Sequence, residues 1–164
     1  MILAKGKYMK FRPRTAARLV AGQLLYQFHI TGRSLGLAYA EFQEEKPFGK
    51  IYQKANYAFV KTLIDGLTGA RLAQLDTVIT QHLTADWSVK RLDKMLHVFL
   101  QLACNELIYH KQEPGIIVKE YGDAVSGFLG EDAVSLAYGV MNGVIKAQKD
   151  KNTLDDLMPT TEDI

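Results

Sequence analysis

Apolar residues recur every three or four positions along almost all of this chain, and no segment alternates apolar and polar residues for long enough to argue for a sheet. That pattern restricts the fold to packed helices. Ala17, Val20, Ala21, Leu24 and Phe28 form one stripe, and Leu35, Ala38, Tyr39 and Phe42 a second. Tyr57, Val60, Leu63, Ile64 and Leu67 form a third, and Leu72, Leu75, Val78, Ile79 and Leu83 a fourth. Leu92, Met95, Leu96, Phe99, Leu102, Ala103 and Leu107 give a wide apolar face. Ile117, Val118, Tyr121, Val125 and Phe128 follow, and Val134, Ala137, Met141, Val144 and Ile145 close the series. The reading is all-α, with six or seven helices.

Punctuation agrees with the stripes. Pro13 suits a first helical turn, where its missing N–H loses no bond. Thr31-Gly32 ends that helix. The segment 46–50 (Lys-Pro-Phe-Gly-Lys) reads as a loop. A break falls at Gly66 or Gly69, and Asp86 or Ser88 is placed to cap the next helix. A soft boundary at 83–87 divides the chain into helical halves, 13–83 and 88–148, within one domain spanning 1–151. The acidic stretch 152–164 reads as a disordered tail.

Charge is distributed unevenly. Lys5, Lys7, Lys10, Arg12, Arg14, Arg18 and Arg33 precede the first acidic residue, Glu41. The first forty residues therefore carry +7 and the remainder −5, which the net charge of +2 conceals. Cations set against phosphates release condensed counterions, so RNA or DNA is the leading partner. A hydrophobic fraction of 48% is enough for a single core without staples. The lone Cys104 forms no internal disulfide, which fits a reducing cytoplasm. No apolar run approaches the length of a membrane span, and no secretory signal is evident.

Catalytic signatures are missing. His29, His82, His97 and His110 share no metal-ligand spacing. Cys104 lies on an apolar helix face and reads as a core residue. Gly66-Leu67-Thr68-Gly69 lacks the Gly-Lys-Ser/Thr of a phosphate loop. Adjacent acids such as Glu131-Asp132 diverge by about 100° on a helix and make no acid/base pair. They suit a helix start, facing its dipole. We therefore expect a binding protein, not an enzyme, with no metal and no cofactor.

On the first helix Arg14, Arg18, Gly22, Leu25 and His29 share a face that reads as basic and opposite the apolar stripe. Gly22 opens space there for a flat ligand or for close helix–helix packing. Tyr26, at the edge of this face, suits base stacking, or else buries its ring and wets its hydroxyl.

Residues 17–27, Ala-Arg-Leu-Val-Ala-Gly-Gln-Leu-Leu-Tyr-Gln, resemble the opening helix of the NusB family of bacterial antitermination factors. Three further stretches agree in order. Trp87 through Asp93 and Leu100 through Leu107 resemble the family's fourth helix and its Ala-x-x-Glu-Leu ending. Pro114 through Tyr121 is similar to its Pro-x-x-Val-x-Ile-x-Glu segment. Glu131-Asp132 and the run Leu136 to Met141 resemble its acidic turn and Phe-Val-Asn-Gly-Val-Leu close. Asn105 replaces the family's Tyr before Glu-Leu, Tyr138 its Asn before Gly-Val, and Asn142 the following Asp. A second register, Met141-Asn142-Gly143-Val144-Ile145, restores the Asn-Gly-Val triplet with a four-residue insertion; the ungapped register is preferred.

The resemblance implies two packed three-helix subdomains. It implies a transcription antitermination factor that joins the small-subunit ribosomal protein NusE. The pair would bind boxA, a short single-stranded RNA element in ribosomal RNA operon leaders, within the transcription elongation complex in the cytoplasm. It implies RNA contacts at Arg18 and Tyr26, so that alanine at either would weaken RNA binding without unfolding the helix. Arg12, Arg14 and Lys10 join them as neighbouring cations, and Tyr138 on the last helix is grouped with them. Glu131 and Asp132 face the protein partner. Monomer and homodimer stay open. The alternatives are a helical protein–protein adaptor without specific RNA binding, and a NusB-like module of ribosomal RNA processing.

Overall fold

The computed structural model describes residues 12–45 and 50–157. Among them the chain forms eight α-helices: α1 Pro13–Thr31, α2 Leu35–Glu45, α3 Lys50–Lys54, α4 Tyr57–Ile64, α5 Gly69–His82, α6 Lys94–Tyr109, α7 Pro114–Leu129 and α8 Glu131–Leu157. No strand occurs among the described residues, and none of their helices is long and apolar enough to cross a membrane.

Local chemistry sets the ends. Pro13 opens α1, with Arg12 extended before it. Gly32 closes α1 at φ 70°, a left-handed geometry that favours glycine, and its N–H donates to the Phe28 carbonyl. The Asn56 side chain accepts from Phe59 N–H to start α4, while its own N–H donates to the Pro13 carbonyl at 2.9 Å. The starts of α1 and α4 are thereby tied together. The α4–α5 break uses both expected glycines: Gly66 takes φ 82°, and Gly69 opens α5 behind the Thr68 cap.

Three elements differ from the sequence reading. α3 is a single extra helical turn, too short for periodicity to reveal. The cap of α6 is Asp93, whose carboxylate accepts from Met95 and Leu96 N–H. Asp86 and Ser88 instead precede a 3-10 turn at Val89–Arg91. Finally, α8 runs to Leu157, so 152–157 are helical rather than a disordered tail; 158–164 lie outside the described residues.

α6 is the central element. Every residue from Leu96 to Glu106 is buried, Gln101 and Asn105 included. α7 and α8 pack on it and on each other, and α1 and α5 flank it. α1 in turn carries α2, α3 and α4. α5 packs on both α6 and α8. Phe99 fills the α1–α6 crossing: a Cβ built on Gly22 would stand 2.9 Å from its Cε1. Gly22 thus serves helix packing. Gly143 does the same on α8, where a Cβ would lie 2.5 Å from His82 Nδ1 and 2.9 Å from its Cγ. Gly139 has nothing within 4 Å of its missing Cβ. Packing thus demands a glycine at 143 and leaves 139 open.

Candidate nucleic-acid interface

The expected basic face of α1 divides on folding. Arg18 is 4% exposed, Gly22 is buried and Leu25 is fully buried. Arg18 Nε and Nη2 each donate to Glu106 at 2.9 Å, one to Oε2 and one to Oε1. The Tyr121 hydroxyl donates to the same Oε2 at 2.5 Å. The rings of Phe59 and Tyr121 lie 5.1 and 5.8 Å from the guanidinium carbon. Burial opposes the charge on Arg18, but the hydrogen bonds and negative charge of Glu106 outweigh it and hold its pKa above the ordinary value. Burial and the Glu106 carboxylate push the Tyr121 phenol well up. Arg18 is therefore corrected from a surface contact to an interior fastening. Its bidentate fork and its desolvation leave nothing to offer a phosphate.

What remains at the surface is smaller and differently shaped. Arg12 and Arg14 are exposed at the start of α1. Arg14 lies over the Phe59 ring at 4.6 Å, and its Nη1 donates to Gln112 Oε1 at 3.0 Å. This joins the start of α1 to the α6–α7 connection. The charge of Arg12 reaches Lys119 on α7. Arg33 pairs with Glu41, which removes it from the free positive surface. Lys5, Lys7 and Lys10 lie outside the described residues.

Tyr26 is 39% exposed, so its ring is available. It stands twelve residues beyond Arg14 on α1, about 18 Å along the axis. Tyr138 is also part-exposed, and its ring rests on bare α7 backbone: a Cβ at Gly122 would stand 2.6 Å from it. Glu131 and Asp132 are exposed in the first turn of α8, where Glu131 accepts from the Ser126 hydroxyl at 2.8 Å. They adjoin the C-terminal end of α7, roughly 24 Å from the end nearest Gln112. Arg14 and the acids thus stand near opposite ends of α7, and Tyr138 rests on its middle.

A polar network the sequence reading missed lies where α1, α5 and α6 meet. His29 Nε2 and Gln101 Oε1 are 2.7 Å apart, and Gln101 donates to Asp76 at 2.8 Å. His97 Nε2 lies 2.6 Å from the same Asp76 oxygen. His97 Nδ1 is buried without a partner. Burial lowers the His29 pKa, assisted by the charges of His97 and Lys94. Asp76 is penalised by burial, yet the bond and charge from His97 carry its pKa below normal. Only the spacing of His97 and Gln101 at i and i+4 hinted at this; the other partners are distant in sequence. Cys104 is fully buried, and desolvation pushes its thiol up to about 12. Among the described residues no three His, Cys, Asp or Glu side chains are grouped to hold a metal ion.

Comparison with known proteins places this geometry among relatives. A family model described as "NusB family" matches residues 15–146. The transcription antitermination protein NusB of Bartonella quintana (strain Toulouse) is 33% identical over 149 residues, covering 87% of this chain and 95% of the relative. A crystal structure of the antitermination factors NusB and NusE in complex with double-stranded RNA has a similar chain. Its TM-score is 0.67 at 29% identity, over 82% of this chain and 96% of that one. The solution structure of NusB from Aquifex aeolicus is similar at TM-score 0.67 and 32% identity, over 86% of this chain and 93% of that one.

Proposed function

The chain belongs to the NusB family, and from that premise we propose that it is a non-enzymatic antitermination factor that binds RNA together with the ribosomal protein NusE. The RNA is boxA-type single strand from ribosomal RNA operon leaders, and the assembly acts in the cytoplasm on the elongation complex. The observation that supports NusE and RNA as partners is the similarity, over 82% of the chain, to NusB held with NusE and double-stranded RNA, and the single-stranded boxA target comes from the sequence resemblance. The exposed Arg12 and Arg14 supply phosphate contacts, with Lys10 beside them in sequence. Tyr26 and Tyr138 offer part-exposed rings for stacking. Glu131 and Asp132 face NusE, whose approach to the acidic end leaves the basic end open for RNA.

The test is binding of a labelled boxA-type oligoribonucleotide, with and without NusE, against a scrambled strand of equal length. The reading expects tighter binding of boxA and a further gain on adding NusE. Equal affinity for both strands under both conditions would reduce the interaction to charge attraction and refute it.

A further inference from the structure

The C-terminal turn of α6 receives two arginines. Glu106 takes Arg18 from α1 in the interior, as described above. Its neighbour Asn105, about 100° around the helix, takes Arg71 from α5. Arg71 Nη1 donates to Asn105 Oδ1 at 3.2 Å, and its guanidinium carbon stands 3.4 Å from the ring centroid of Tyr109. Tyr109 is 48% exposed. No described carboxylate lies within ion-pair distance of Arg71. Its charge is therefore turned toward a ring and an amide, neither of which neutralises it.

Helix stability does not explain this arrangement. Arg71 sits in the first turn of α5, where the helix dipole disfavours a cation and an acid would serve better. Tyr109, the last residue of α6, keeps nearly half of its surface in water. Asn105 occupies the position where the resemblance expects a tyrosine, and its amide is what orients Arg71.

The pair also adjoins the arginine already assigned. Lys111 is exposed, and Gln112, only three residues beyond Tyr109, accepts from Arg14. The Cα atoms of Tyr109 and Gln112 are thus no more than roughly 11 Å apart. A planar guanidinium stacked on a phenol ring gives a flat, positively charged face. Such faces hold unstacked bases while neighbouring cations hold the flanking phosphates. We infer that Arg71 and Tyr109 form a further contact for single-stranded RNA, a platform on which one base stacks while its phosphates run toward Lys111 and Arg14. This inference rests on the RNA-binding reading given above.

The experiment uses the full chain with NusE and a fluorescent boxA-type oligoribonucleotide, comparing the unaltered protein with Tyr109→Ala, Tyr109→Phe, Arg71→Ala and Arg14→Ala. Tyr109→Ala is expected to weaken binding about ten-fold with an unchanged salt slope, since a stacking contact releases no counterions. Tyr109→Phe should retain affinity. Arg71→Ala should weaken binding by a similar factor, while Arg14→Ala should flatten the log–log salt slope by roughly 0.7. A strand carrying 4-thiouridine should crosslink to the peptide holding Tyr109. If Tyr109→Ala binds normally while Arg14→Ala is weakened, the platform is refuted and RNA binding stands. The same holds if Tyr109→Phe fails along with Tyr109→Ala, or if the crosslink maps elsewhere. If the unaltered protein fails to bind the strand at all, the RNA-binding reading itself falls.

Discussion

Arg18 shows what one side chain can conceal. Its spacing on α1 put it on a face with Arg14, and periodicity alone cannot tell a solvated arginine from one that meets a carboxylate 88 residues away. The partner, Glu106, lies inside a resemblance motif, but nothing in either segment states that they touch. The structural role predicts a consequence opposite to that of a phosphate contact. Arg18→Ala leaves Glu106 buried without its counter-charge and should cost about 3–5 kcal/mol, read as a large fall in the urea midpoint. The triple replacement Arg18→Met, Glu106→Leu and Tyr121→Phe should recover most of that loss, because it also removes the buried hydroxyl that would otherwise lose its acceptor. If Arg18→Ala unfolds at the midpoint of the unaltered protein, the buried pair is not holding the fold. Glycines give a second contrast. Gly143→Ala should destabilise by about 1–3 kcal/mol, since its methyl meets the His82 ring. Gly139→Ala meets open space and should stabilise by up to about 1 kcal/mol through helix propensity. Thermal melts of the two variants test this, and melts shifted in the same direction would contradict it.

Helices were the legible level. Seven stripes of apolar residues, the Pro13 start, the Gly32 stop and the glycine break before α5 all stand in the structure close to where spacing puts them. The elements that escaped were those without a period: α3 is one turn, and the switch of cap to Asp93 depends on a 3-10 turn that shortens α6. The junction of α1, α5 and α6 was illegible for a different reason, as its polar members sit singly on three helices. That junction gives the fold a pH dependence. His29 binds its proton less readily in the folded chain than in the unfolded one. Its contribution is complete above about pH 6.5 and declines as the pH falls below that value, because the unfolded chain is protonated first. Asp76, depressed in the fold, contributes above its ordinary range near pH 4 and loses that contribution as acid protonates the folded carboxylate. Stability should therefore begin to fall below about pH 6.5 and fall again below about pH 4. In His29→Gln the upper decline should vanish while the lower one remains; denaturant titrations across this range would check both.

At the scale of the molecule, the charge gradient survived folding but narrowed. Of the described cations in the first forty residues, Arg18 turned inward and Arg33 is paired, leaving Arg12 and Arg14 at the α1 end. Reversing both, Arg12→Glu with Arg14→Glu, should weaken RNA binding at low salt and flatten the log–log slope by about 1.4, two phosphates at roughly 0.7 each. An unchanged slope would place the strand elsewhere. The sealed sulfur of Cys104 has a use beyond packing. With its thiol held near 12 and no exposed surface, it is silent toward alkylating reagents until the central helix comes away from its neighbours. Its labelling rate should thus follow opening of the whole core, slow with added denaturant absent and accelerating in step with spectroscopic unfolding. The chain carries its own stopwatch for that event, and any second sulfur placed on the surface would report without interference from it.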